Sequence, residues 1–125
     1  MTVNDSKIST RLCQSDQVQE KSKGFGFNVV KDDRVWPAFI IRFAGKIKGY
    51  LNVCPHMAFR LDAGTGKFFS INGGKLICTS HGAMFDPDDG RCSGGPCAGF
   101  SLIPLALREE NGAIFLDEGE YRYWD

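Results

Sequence analysis

Apolar and polar positions alternate from Phe25 to Val30. Phe25, Phe27 and Val29 fall on one side and Gly26, Asn28 and Val30 on the other, the period-two pattern of a half-buried strand. Two longer β-prone runs, Val35 to Phe43 and Ile47 to Asn52, flank Ala44-Gly45-Lys46 and predict a hairpin. Pro37 sits early in the first run and cannot donate to a ladder, so that end is expected to be an edge or a bulge. Ile8 to Cys13 predicts a first strand, Gln14 to Gly24 a polar loop, and residues 1–7 a frayed terminus.

Turn residues recur along the rest of the chain at Gly64-Thr65-Gly66, Asn72-Gly73-Gly74, Asp86 to Gly90 and Asn111-Gly112. Between them lie short β-prone runs at Lys67 to Ile71, Lys75 to Cys78, Ser101 to Leu107 and Ala113 to Asp117, the last two predicted to pair as a hairpin. The nearest approach to a helical period, Leu102 to Glu110, contains Pro104, which breaks it. Short strands at this spacing predict an all-β fold.

Composition narrows the class. The chain has 125 residues, 42% hydrophobic and 24% charged, which is the range of one folded domain, 1–125, rather than of a disordered segment. Its 15 Lys and Arg balance its 15 Asp and Glu, which gives no reason to expect nucleic acid or an anionic membrane as partner. The charge is uneven, with six acids against two bases over residues 108–125 and 13 bases against nine acids before them. No apolar run approaches the ~18 residues of a membrane span, and residues 1–20 lack the apolar stretch of a signal peptide. The expectation is a soluble, cytoplasmic protein.

Chemistry concentrates in the five cysteines and two histidines. Both histidines stand beside cysteines, in Cys54-Pro55-His56 and Cys78-Thr79-Ser80-His81, with 21 residues between the two segments. Each segment is a loop after a β-run, and each offers one soft thiolate and one imidazole. A set of two cysteines and two histidines also suits zinc, although zinc sites usually pair Cys with Cys and His with His. Cys54, Cys78, Cys92 and Cys97 would make a four-cysteine set that leaves both histidines idle. In a reducing compartment Cys92 and Cys97 are expected to be two free thiols, and Cys13 a small core residue.

The joint pattern resembles the Rieske [2Fe–2S] family. It continues after the second loop as Gly82-Ala83-Met84-Phe85-Asp86 and an acidic turn to Gly90. It then reaches Gly94-Gly95-Pro96, which looks like that family's third, cluster-covering loop. Leu61-Asp62-Ala63-Gly64 after the first loop fits as well, and the likeness runs from Arg11 to Asp117. It implies the all-β Rieske fold of antiparallel sheets, with a small cluster-binding subdomain at residues 53–98. Cys54 and Cys78 would hold an inner iron, and His56 and His81 an outer, exposed one. Two imidazoles in place of two thiolates make such a site less negative and easier to reduce. Gly82, Gly94 and Gly95 either bring backbone N–H groups toward the cluster or are ordinary turn glycines.

Departures from the family pattern set further expectations. Respiratory members place a disulfide between the two ligand loops, where this chain has Phe59 and Ser80. They also place hydroxyl donors where this chain has Ala83 and Phe85. Fewer donors make the reduced cluster harder to form, so a low potential is expected. The resemblance implies a one-electron carrier without substrate chemistry of its own, taking electrons from a flavin reductase and passing them to an oxygenase or similar acceptor. A small subunit fixed in a larger reductase complex, a redox sensor using Cys92 and Cys97, and a zinc-stabilised module remain open. Met57, Phe59 and Arg60 are docking candidates beside His56. Trp36, Tyr121, Tyr123 and Trp124 are expected to pack against the body of the protein, and Gly24-Phe25-Gly26 to be a loop entering a strand.

Overall fold

The computed structural model describes residues 9–54, 60–62, 64–70, 73–78 and 82–124. The terminus expected to fray, residues 1–7, lies outside them. The described residues form ten strands: β1 (Ser9–Gln14), β2 (Phe25–Lys31), β3 (Arg34–Phe43), β4 (Lys46–Leu51), β5 (Leu76–Ile77), β6 (Met84–Phe85), β7 (Cys92–Gly94), β8 (Leu107–Glu110), β9 (Ala113–Asp117) and β10 (Arg122–Trp124). They make three antiparallel sheets, ordered β1-β9-β8, β10-β2-β3-β4 and β5-β6-β7. The all-β expectation holds. A single 3-10 turn, Ser15–Gln17, interrupts the polar loop after β1.

The hairpins follow from their turns. β3 and β4 meet through Ala44 and Gly45 at φ 54° and 79°, and β8 and β9 through Asn111 and Gly112 at φ 51° and 77°. Two successive residues with positive φ match the twist of the flanking strands. Asp32 and Asp33, at φ 52° and 61°, do the same between β2 and β3. Aspartate tolerates this backbone region better than most residues.

The β3–β4 part of the four-stranded sheet is buried on both faces, which explains the unbroken apolar run in β3. Ala38 and Ile40 face β1-β9-β8, packing with Val29, Leu51, Ile114 and Leu116 in two clusters. Phe39 and Ile41, with Tyr50, face the other way into a third cluster that contains Cys54, Leu61, Phe68, Leu76, Cys78, Ala83, Phe85 and Cys97. Phe39 stacks on Phe68 with ring centroids 3.9 Å apart. The middle sheet is therefore the wall against which residues 54–102 are built. Trp36, Tyr121 and Tyr123 pack against the sandwich core as expected, while Trp124 is 48% exposed.

Two strand expectations change, and a third, at Pro37, resolves to one of its two alternatives. The segment Ser101 to Leu107 is not a strand. It follows β4 through single bonds, Leu51 N–H to Ile103 O and Leu105 N–H to Gly49 O, and β8 begins only at Leu107. Pro104 interrupts the run of donors that a ladder would need. Lys67 to Ile71 contributes one bridge, Phe69 to Leu76, and its last residue lies outside the described residues. Pro37 pairs with Asn28 in an unshifted register, so there is no bulge. On its other side β4 has ended and Asn52 N–H donates to Pro37 O, so the missing donor falls at an edge.

Candidate metal centre

Cys54 lies two residues beyond Asn52 at the end of β4, and Cys78 directly follows β5. Both are fully buried, and both belong to the apolar cluster on the outer face of β3. The structure thus places two thiols from separate loops in one buried apolar cluster. His56 and His81 lie outside the described residues, as do Met57, Phe59 and Ser80. Buried soft donors in apolar surroundings suit an iron–sulfur centre, whose thiolates are shielded from water.

The loop that starts at Cys78 is closed by two backbone bonds. Cys78 N–H donates to Ala83 O, and Gly82 N–H donates to Cys78 O, both at 2.8 Å. The loop reverses so tightly that Gly82 takes φ +73°. β6 and β7 then carry the chain to Gly95, at φ +80°, which lies against this loop. A Cβ on Gly95 would sit 2.7 Å from Gly82 O and 3.0 Å from Ala83 Cα. Gly95 is therefore a close-approach glycine, whereas Gly94 is an ordinary strand residue whose Cβ would touch only Met84.

Cys92 and Cys97 are joined in a disulfide, with Cα atoms 5.6 Å apart. This corrects the expectation of two free thiols. β7 leads out from Cys92, the Gly94-Gly95 turn reverses the chain, and Phe100 N–H bonds Cys97 O while Cys92 N–H bonds Phe100 O. The two Cα atoms are thereby held within bridging distance. The four-cysteine metal set falls with the same observation, because sulfurs bonded to each other are not thiolate ligands. Cys13 is buried between the sheets with Val18, Ile40 and Ile114, as expected of a core residue.

A buried polar node anchors the first loop. Asn52, at its start, accepts the Leu61 N–H at 2.8 Å and donates to Asp62 at 3.1 Å. The Asp62 carboxylate also accepts the N–H groups of Gly64 and Gly66, and Asp62 O accepts the Thr65 hydroxyl. Only Asp62 of this pair had a sequence signal, through the turn that follows it. Burial pushes the Asp62 carboxyl up, but its donors outweigh this and hold it below the usual carboxylate range. A depressed value means stability present above the ordinary carboxylate range and lost as the pH falls through it. Asp62→Asn is expected to destabilise the protein by about 2 kcal/mol at neutral pH. Thermal melts at a series of pH values should show this gap to wild type constant near neutrality and closing below about pH 4.

Tyr50 fixes the far side of the site. Its hydroxyl donates to Pro87 O at 2.9 Å in the acidic turn, and its ring lies where a Cβ on Gly90 would come within 2.8 Å. Burial, reinforced by the charges of Asp89, Asp88 and Asp86, raises the phenol's pKa and keeps it a donor. On the surface, Arg60 is exposed at a cleft of about 370 Å³ that also touches Asn52 and Asp62. Phe100 and Ile103, which follow the third loop, are 49% and 47% exposed, an apolar rim that the sequence did not announce.

An antiparallel sandwich carrying a small separate sheet, with two buried cysteines delivered by two loops and a third loop against the second of these, is an arrangement that fits an iron–sulfur domain. The Rieske [2Fe-2S] domain pattern matches residues 9–104, and the chain belongs to that family. Its cofactor is a Rieske-type [2Fe–2S] cluster. The fold is similar to the ferredoxin of carbazole 1,9a-dioxygenase from Nocardioides aromaticivorans IC177, with TM-score 0.69 and 20% identity over 89% of this chain and 98% of that one. It is similar also to the Sphingomonas yanoikuyae B1 ferredoxin, with TM-score 0.66 and 21% identity over 90% of this chain and all of that one. A third likeness is to a fluorene-bound oxygenase and ferredoxin complex of carbazole 1,9a-dioxygenase, with TM-score 0.71 and 16% identity over 87% of this chain and 28% of that one. No curated protein matches the chain.

Proposed function

We propose that this protein is a Rieske-type ferredoxin that carries single electrons to an oxygenase, with a flavin reductase as its donor and no substrate chemistry of its own. The observation that carries the reading is the placement of Cys54 and Cys78, from two loops, in one buried cluster of a Rieske domain. Two similar folds are ferredoxins, and a third belongs to an oxygenase described in complex with a ferredoxin. The [2Fe-2S] family match speaks against the zinc-stabilised module.

In this reading Cys54 and Cys78 hold the inner iron, and His56 and His81 the outer. When bound, the cluster supplies one-electron chemistry. The protein's part is to exclude water, fix the ligand loops and set the electrostatics. Leu61, Leu76, Phe85 and Ala83 share the apolar cluster that holds the two thiols. The Asn52–Asp62 node pins the first loop, and the Gly95 contact covers the second. Arg60 and the exposed Phe100 and Ile103 suit brief docking with a partner. Among the described residues no helix is long and apolar enough to cross a membrane. A cytoplasmic setting belongs to this reading, and there the Cys92–Cys97 bond faces a pool of thiols.

Ala83 and Phe85 are both fully buried and carry no hydroxyl to stabilise added charge. A redox titration followed by absorbance is expected to show one-electron behaviour, with a midpoint toward the low end of the span of about −150 to +300 mV. A midpoint above roughly +100 mV would overturn the low-potential carrier.

A further inference from the structure

We propose that the Cys92–Cys97 bond is a reversible thiol–disulfide site that latches the third loop onto the loop of Cys78. The bond spans five residues and encloses a place where the third loop meets the Cys78 loop, Gly95 against Gly82 and Ala83. Its inner end is anchored, for Cys97 is fully buried in the same cluster as Cys54, Cys78 and Ala83. Its other end, Cys92 in β7, packs against the edge of that cluster and is partly exposed. The two ends differ in exposure, Cys97 fully buried and Cys92 partly open, so a solvent-borne thiol would approach from the Cys92 side.

This asymmetry sets the chemistry. A thiolate of a dithiol reductant attacks the Cys92 sulfur, the Cys92–Cys97 bond breaks, and Cys97 leaves as a thiolate that takes up a proton. The reductant's second thiol then displaces Cys92, which leaves as a thiolate and is protonated, and the reductant departs as its own disulfide. Two electrons and two protons have entered the protein. The buried thiol finds acceptors where it stands, with Cys97 Sγ 3.2 Å from Gly94 O and 3.5 Å from Met84 O. The opened segment keeps the two bonds between Phe100 and the Cys92 and Cys97 backbones. Reduction thus frees the Gly95 contact without unfolding the sheet, and the cover over the site loosens.

The test uses the whole purified protein with and without a dithiol reductant under native conditions. Alkylation read by peptide mass should label Cys92 and Cys97 only after reduction. Hydrogen exchange over residues 82–85 should quicken on reduction and slow again on reoxidation. Iron loss to a chelator, the arm that rests on the carrier reading, should accelerate on the order of tenfold. The Cys92→Ser/Cys97→Ser variant should lose iron at the faster rate without reductant and gain nothing from adding it, which separates latch opening from direct attack on the cluster. Labelling without reductant, resistance to reduction until the protein unfolds, or unchanged exchange over 82–85 after reduction would each overturn the proposal. Protein that carries no iron would sink the carrier reading instead, and the labelling and exchange arms would still decide the latch.

Discussion

Replacing Cys78 with serine is expected to abolish cluster binding while leaving the sandwich folded. The sulfur is fully buried at the end of β5, inside the apolar cluster that also holds Cys54. A serine hydroxyl is a hard donor with a far higher pKa than a thiol, and it is a poor ligand for an iron–sulfur centre. The two clusters between the large sheets contain neither Cys54 nor Cys78, so the body of the fold does not depend on them. Purified Cys78→Ser should be colourless with negligible iron, while its far-ultraviolet circular dichroism matches wild type. Cys54→Ser should behave alike. Cys13→Ser should keep its iron, since Cys13 lies between the sheets with Ile40 and Ile114. A Cys78→Ser protein that retains iron and colour would contradict the ligand assignment.

Gly95→Ala is expected to be strongly destabilising. The added Cβ would stand 2.7 Å from Gly82 O and 3.0 Å from Ala83 Cα, and both are backbone atoms that cannot swing aside. Gly95 also sits at φ +80°, where a side chain is strained in any surroundings. Overpacking and backbone strain together should cost about 2–4 kcal/mol, or about 10 °C in a thermal melt of a domain this size. Gly99 is the matched control. Its φ is +85° and nothing among the described residues lies within 4 Å of where its Cβ would be, so Gly99→Ala should lose only the backbone part, about 1 kcal/mol. Equal losses in the two variants would show that loop contact at Gly95 contributes nothing.

The sequence made the larger hairpins legible and the small sheet obscure, for physical reasons. β2 to β4 and β9 combine period-two or continuous apolar runs with turns whose positive φ values fall on Ala44-Gly45 and Asn111-Gly112. β5 showed only as the short run Lys75 to Cys78, and β6 and β7, two and three residues long, are too short to show any period. β8 slipped C-terminally because the apolar pattern of Ser101 to Leu107 reflects packing along β4 rather than a ladder. Cys54 and Cys78 stood out through their spacing to histidines. Asn52 did not, because a single buried amide at a strand end leaves no pattern, although it bonds both Leu61 and Asp62. The disulfide was missed because compartment outweighed local geometry. The Gly94-Gly95-Pro96 turn between Cys92 and Cys97 was the signal that the two sulfurs return to each other.

The central claim is a [2Fe–2S] centre held by two cysteines and two histidines. Metal counting and electron paramagnetic resonance on the same anaerobically purified sample test it most directly, before and after reduction with dithionite. The account predicts red-brown protein with two irons per chain and no zinc, and on reduction a signal of low average g, the mark of mixed cysteine and histidine ligation. Colourless protein with one zinc and no signal, unchanged by anaerobic reconstitution with iron and sulfide, would contradict it.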